Sequence, residues 1–136
     1  MDKLQKLFDI GFRQIGKWNC NPNLQLERNF KGTRKNVLYA FVVDGEPMYV
    51  GKAGDFMGVM NAYRHPGKRS TRIRIKQHLI DRIEAGCNVI VLMFEQIDDM
   101  YFHGIKLNLC HALEEEIIKI MNLEWNIIGK IKGTNV

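Results

Sequence analysis

The stretch that decides the fold is NVLYAFVVDGEPMYVGK, Asn36 to Lys52. Val37 to Val43 are mainly β-branched or aromatic, Met48 to Val50 continue in kind, and Asp44-Gly45 between them is a strong short-range signal for a hairpin turn. Pro47 cannot donate to a strand ladder, which places it at the start of the second strand or at a sheet edge. Alternation sends Tyr39 away from Leu38 and Ala40, and Tyr49 away from Met48 and Val50, so the hairpin can present both phenols on one face. Packing across strands would explain two tyrosines equally well; Gly51 and Lys52 directly behind the second one ask for a further reason.

Before the hairpin, Leu4, Leu7, Phe8, Phe12 and Ile15 recur at helical intervals, predicting an amphipathic helix over about 2–16, weakened at Gly11. Asn, Pro, Gly and charge dominate 17–35, which reads as a looped or extended connection. After the hairpin, Gly54, Gly58, Pro66 and Gly67 mark 51–71 as a long irregular insertion with one helical turn around Val59 to Tyr63, and long loops in compact domains tend to be functional. A helix is expected over 72–85, with Ile75, Leu79, Ile80 and Ile83 on one face and Gly86 as its stop. The near-continuous apolar run from Val89 to Phe94 predicts a strand over 88–97 buried on both faces. A loop over 98–104, a last helix over 106–121 and an extended tail from Trp125 complete the chain. Helix, hairpin, helix, strand, helix is an α/β or α+β order, with a small, mostly antiparallel central sheet flanked by helices.

A chain of 136 residues, 46% hydrophobic, can bury one core without disulfides or metal, so one domain over 1–136 is expected: an N-terminal helix and arm over 1–35 and a core over 36–128. Cys20, Cys87 and Cys110 are odd in number and far apart, matching neither a disulfide framework nor a CxxC metal site and favouring a reducing compartment. No apolar run approaches a membrane span, and no signal peptide is recognisable, so a soluble intracellular protein is expected. The net charge of +5 suits a polyanionic partner without demanding one.

Two segments carry chemistry. KRSTRIRIK, Lys68 to Lys76, holds five basic residues and no acidic one, and Arg64 precedes it; such clusters neutralise phosphates, although a solvated basic face would read alike. Within it Arg74 and His78 lie four apart, on one helical face, where together they can meet one phosphate. In HALEEEIIKIM, His111 to Met121, the apolar arc of Leu109, Leu113, Ile117, Ile118 and Met121 encloses Glu114, whereas Glu115 and Glu116 point elsewhere. A carboxylate on a buried face needs a cation, so Glu114 is either a metal ligand or half of a buried salt bridge.

Tyr39 in VLY, Tyr49-Val50-Gly51, Arg74 and His78 in RIKQH, Glu114 in EEEIIK and Asn126 in WN follow in order the motif pattern of the GIY-YIG nuclease family, which the segment 36–128 resembles. The interval of twelve residues from Glu114 to Asn126 is similar to the family's. VLY departs from Gly-Ile-Tyr but keeps the tyrosine, and Arg74 follows Tyr49 by 25 residues, further than usual, which leaves Arg64 and Arg72 as rivals. The resemblance, closest to small restriction enzymes and phage endonucleases of the family, implies the GIY-YIG fold and metal-dependent hydrolysis of double-stranded DNA. It assigns Tyr39 as general base, its pKa lowered by Arg74, His78 or Lys52; Arg74 to the pentacovalent phosphate; Tyr49 and His78 to positioning or proton relay. Glu114 would hold one Mg²⁺ or Mn²⁺, and Asn126 would orient Glu114 or the backbone beside it. Lys52, Arg64, Lys68, Arg69, Arg72 and Lys76 are candidate DNA contacts. One site cuts one strand, so a double-strand break implies a homodimer, a homotetramer or sequential nicks. The setting implied is the cytoplasm of a bacterial or phage-infected cell. The alternatives are a non-catalytic nucleic-acid-binding module on the same fold and a nuclease of branched DNA.

Overall fold

The computed structural model describes residues 1–30 and 34–127; the predicted tail beyond Ile127 and residues 31–33 of the predicted connecting arm lie outside them. Helix α1 (Lys3–Ile10) is capped by the Asp2 side chain, which accepts from the Gln5 amide at 3.1 Å. It ends well short of Gly16, because Gly11 adopts φ +124° and turns its amide back to the Leu7 and Phe8 carbonyls. The chain beyond is extended. Strands β1 (Arg13–Cys20) and β2 (Leu26–Arg28) occupy much of what the sequence presents as helix end and loop. Strand β3 (Lys35–Val43) and strand β4 (Glu46–Asp55) form the expected hairpin, with Asp44 and Gly45 both at positive φ in the turn.

The predicted insertion is mostly regular: β4 runs to Asp55 and is followed at once by helix α2 (Phe56–Arg64), which buries Phe56, Met60 and Tyr63 at helical spacing. Glycine and proline sit at its borders and on its exposed side, which is why composition alone suggested a loop. Helix α3 (Ser70–Glu84) and strand β5 (Val89–Glu95) follow as expected. The predicted loop over 98–104 instead opens an exposed hairpin, β6 (Met100–Phe102) with β7 (Ile105–Leu107), turned at His103-Gly104. Helix α4 (Leu109–Met121) completes the described elements, capped by Asn108.

The fold is α+β. The main sheet is antiparallel throughout, in the order β2-β1-β5-β3-β4, with β5 in the middle and β4, including Pro47, at an edge. Alternation along β3 feeds two cores. Val37, Tyr39, Phe41 and Val43 join Trp18, Phe30, Tyr63, Ile75, Leu79 and Trp125 on a face covered by α2 and α3. Leu38, Ala40 and Val42 join Leu7, Phe12, Val50, Cys110, Ile117 and Met121 on the face covered by α1 and α4. Each such large apolar side chain stabilises the fold by about 1.5–3 kcal/mol. The segment after α4 crosses from one face to the other around the β4 edge: Leu123 belongs to the second core and Trp125 to the first.

Candidate active site

Crossing that edge has a cost that Asn126 offsets. Alternate residues of an edge strand turn their backbone groups away from the sheet, and Val50 and Met48 do so here. Asn126, only 4% exposed, accepts from the Val50 amide at 2.9 Å and donates to the Val50 carbonyl at 3.0 Å, while the Trp125 amide donates to the Met48 carbonyl at 2.9 Å. Asn126 thus pins the strand that carries Tyr49, both of its bonds running to the Val50 backbone.

A cavity of about 640 Å³ opens beside this clasp, lined by Tyr49, Arg74, His111, Glu114 and Asn126 among others. It straddles the sheet edge, with α3 contributing from the first face and α4 from the second. An adjoining cleft of about 370 Å³, sharing Tyr49, Ser70 and Thr71 with it, is lined by Tyr39, Tyr63, Lys52, Arg69 and Arg72. Ser70 and Thr71, which line both spaces, open α3, and its cap residue Arg69 makes no side-chain cap hydrogen bond.

Gly51 explains the close approach of the two tyrosines. It stands opposite Tyr39 in the β3–β4 register, and a Cβ on it would collide with the Tyr39 ring and hydroxyl. Tyr39 therefore lies across β4 with its ring centroid 6.2 Å from that of Tyr49, on the same side of the sheet. The Tyr39 hydroxyl is 2.6 Å from that of Tyr63. Burial above all, with Tyr49 beside it, pushes the Tyr39 pKa far above that of an ordinary phenol; Glu114 adds to this, and the Tyr63 hydrogen bond and Arg72 oppose it. Arg72 is the cation whose charge opposes this rise, where Arg74, His78 or Lys52 were expected; Lys52 and Arg69 line the same cleft.

Glu114 lies half-buried within its apolar arc, while Glu115 and Glu116 are exposed and pair with Lys119. No ion pair among the described residues involves Glu114. Desolvation raises its pKa, opposed by the charges of Lys52 and His111 and by the Lys52 amide. Lys52 Nζ also lies 3.0 Å from His111 Nδ1. A carboxylate facing a roomy cavity without a protein counter-ion suits a hard divalent ion that keeps most of its waters, and no group of three potential ligands occurs among the described residues.

The other predicted residues separate. His78 stacks on Trp125 at 4.9 Å and 9°, outside the lining of the cavity, its pKa lowered by burial and then by Arg74. Arg64 donates from Nε to the Leu26 carbonyl at 3.0 Å and lines the surface near β2, apart from the cavity that Arg74 lines; Lys76 donates to the Arg64 carbonyl at 3.0 Å. Arg72 and Arg74 both reach the site, in adjoining spaces, and Lys68 is exposed. Sequence reasoning did not single out Tyr63, His111 or the α3 N-terminus. Tyr63 was detectable from the Phe56, Met60, Tyr63 spacing, and His111 from its position one turn before Glu114.

No family model matches the chain, and no curated protein matches it in sequence. Among solved structures it is similar to a mutant of bacteriophage T4 EndoII, with a TM-score of 0.75, 17% identity, and coverage of 93% of this chain and 100% of that one. It is also similar to restriction endonuclease HPY188I in complex with product DNA, with a TM-score of 0.51, 17% identity, and coverage of 90% and 82%. The chain therefore shares the fold of these two proteins, in agreement with the fold that the motif resemblance implied.

Proposed function

We propose that the protein is a metal-dependent endonuclease that hydrolyses phosphodiester bonds of double-stranded DNA. The observation that carries this reading is the meeting of Tyr49, Arg74 and Glu114 around one cavity, with Tyr39 and Arg72 in the adjoining cleft. HPY188I, similar in fold, is described with product DNA. A carboxylate left without a counter-ion is of no use to a module that only binds a polyanion, and this favours catalysis over binding alone.

Glu114 would hold Mg²⁺ or Mn²⁺, which when bound supplies positive charge to the phosphate and to the leaving oxygen. Tyr39, as phenolate, accepts a proton from water while the water oxygen bonds to phosphorus. The P–O3′ bond breaks, and its electron pair leaves with the 3′ oxygen. Arg74 donates to the non-bridging oxygens as their charge develops, and Tyr49 fixes the phosphate at the junction of the two spaces. His78 acts through Trp125, bracing the clasp, without reaching the phosphate. Lys52, Arg69 and Arg72 receive the flanking backbone, with Lys68 beside them, whereas Arg64 and Lys76 serve the fold.

Cutting both strands takes two such sites or two nicks in succession. The test is nicking of supercoiled plasmid with Mg²⁺ by wild type and Glu114→Ala: the wild type cuts and the variant does not. Equal activity would remove the assignment of Glu114, and binding that persists in EDTA without any nicking by the wild type would favour the non-catalytic module. Mapping the ends then separates restriction, which leaves a fixed sequence, from general DNA degradation.

A further inference from the structure

Helix α2 places one polar group in the first core, the Tyr63 hydroxyl. Tyr63 is 2% exposed, and the partner of its hydroxyl is the hydroxyl of Tyr39, a residue 3% exposed. The ring is fixed independently of that bond: it meets Tyr39 edge-on at 6.1 Å and 75°, and Phe41 at 5.3 Å and 76°. Two phenols 2.6 Å apart share one hydrogen, and either can be the donor while both are neutral. Once Tyr39 is a phenolate it can only accept, and the bond must then run from Tyr63.

We propose that Tyr63 is a positioning residue for the reaction, donating to the Tyr39 oxygen and so holding that buried phenol in a state able to take a proton from water. The role rests on the endonuclease reading above. A hydrogen bond to a charged oxygen is about twice as strong as a neutral one, so this contact favours the phenolate over the phenol and offsets part of the effect of burial. The other groups facing Tyr39 are Tyr49 and Lys52 from β4, Arg69 and Arg72 from the start of α3, and Glu114 from α4. Tyr49 and Glu114 disfavour the phenolate and Arg72 favours it. Of the groups that favour the phenolate, Tyr63 acts through a short direct bond between two buried residues and outweighs Arg72. Helix α2, set between β4 and α3, delivers it.

The test is Tyr63→Phe, which keeps the ring and its packing. Single-turnover plasmid nicking is followed against pH in wild type, Tyr63→Phe, Tyr39→Phe and the double variant. The expected result is an upward displacement of the base-dependent limb by about one to two pH units in Tyr63→Phe, roughly a 10- to 100-fold loss at neutral pH that is recovered as pH rises. Tyr63→Phe should cost nothing further once Tyr39 is Phe. A loss equal at every pH, an unmoved limb, or an undiminished further loss on the Tyr39→Phe background would overturn the proposal. Fluorine NMR titration of protein made with fluorotyrosine gives a readout that needs no cleavage: the signal absent from Tyr39→Phe should titrate at higher pH in Tyr63→Phe. An unmoved titration would sink the proposal even in an active nuclease, while inactivity of the wild type with a moved titration would sink only the endonuclease reading.

Discussion

The two edges of the sheet use the same chemistry for opposite ends. At the β2 edge, Arg28 donates to Asn61, Arg64 to the Leu26 carbonyl and Lys76 to the Arg64 carbonyl, so the cations are spent on tying α2 and α3 to the sheet. At the β4 edge, Asn126 and Trp125 satisfy the strand's outward backbone groups, and the cations Arg72 and Arg74 face open space with Glu114. One basic run therefore divides by direction around α3, one part holding the fold and the other able to meet a phosphate.

The sharpest way to break that contrast is to remove one carboxylate from each edge. Glu114→Ala should lower Mg²⁺-dependent nicking by on the order of 10³-fold, whereas Glu27→Ala, beside Arg28 and Arg64, should stay within a few-fold of wild type. Arg74→Ala should cost roughly 10²-fold in nicking with little change in the melting temperature; Arg64→Ala should do the reverse, keeping the rate and losing about 1–2 kcal/mol in urea denaturation. Equal rates for the two arginine variants would dissolve the division between edges.

Smaller effects test the clasp and the close approach. Asn126→Ala orphans the amide and carbonyl of Val50 and should destabilise the protein by about 2–4 kcal/mol, read from the denaturant midpoint. Gly51→Ala drives a methyl into Tyr39, and Gly16→Ala drives one into Phe30 and Asn29 near the β2 edge. Both should cost about 1–3 kcal/mol, but only Gly51→Ala should also slow cleavage in the protein that remains folded.

Much of the β4 side was legible in the sequence. Asp44-Gly45 and strand alternation fixed the hairpin, and helical geometry separated Glu114 from its two acidic neighbours, because these are local rules acting over a few residues. What was not legible depends on distant partners. Strand β1 reads as polar and glycine-broken, and it is ordered by pairing with β5 across an irregularity between Gln14 and Gly16. Arg64 looks like its basic neighbours until its acceptor, the Leu26 carbonyl, is in view. Asn126 could have served Glu114 as well as Val50, and only the course of the chain around the edge decides it. The β6–β7 hairpin does carry a local signal, apolar residues flanking His103-Gly104, but strands of three residues are too short to stand out from a loop.

The convergence of acid, arginine and phenols at the β4 edge is tested most directly by paramagnetic Mn²⁺ in methyl-labelled protein. The Val50 and Ile118 methyls, which line the cavity, should broaden at low Mn²⁺, Ile105 on the exposed hairpin and Leu26 at the opposite edge should stay sharp, and Glu114→Gln should abolish the difference. Broadening centred on the hairpin or the β2 edge, or broadening at Val50 and Ile118 that survives Glu114→Gln, would contradict the account.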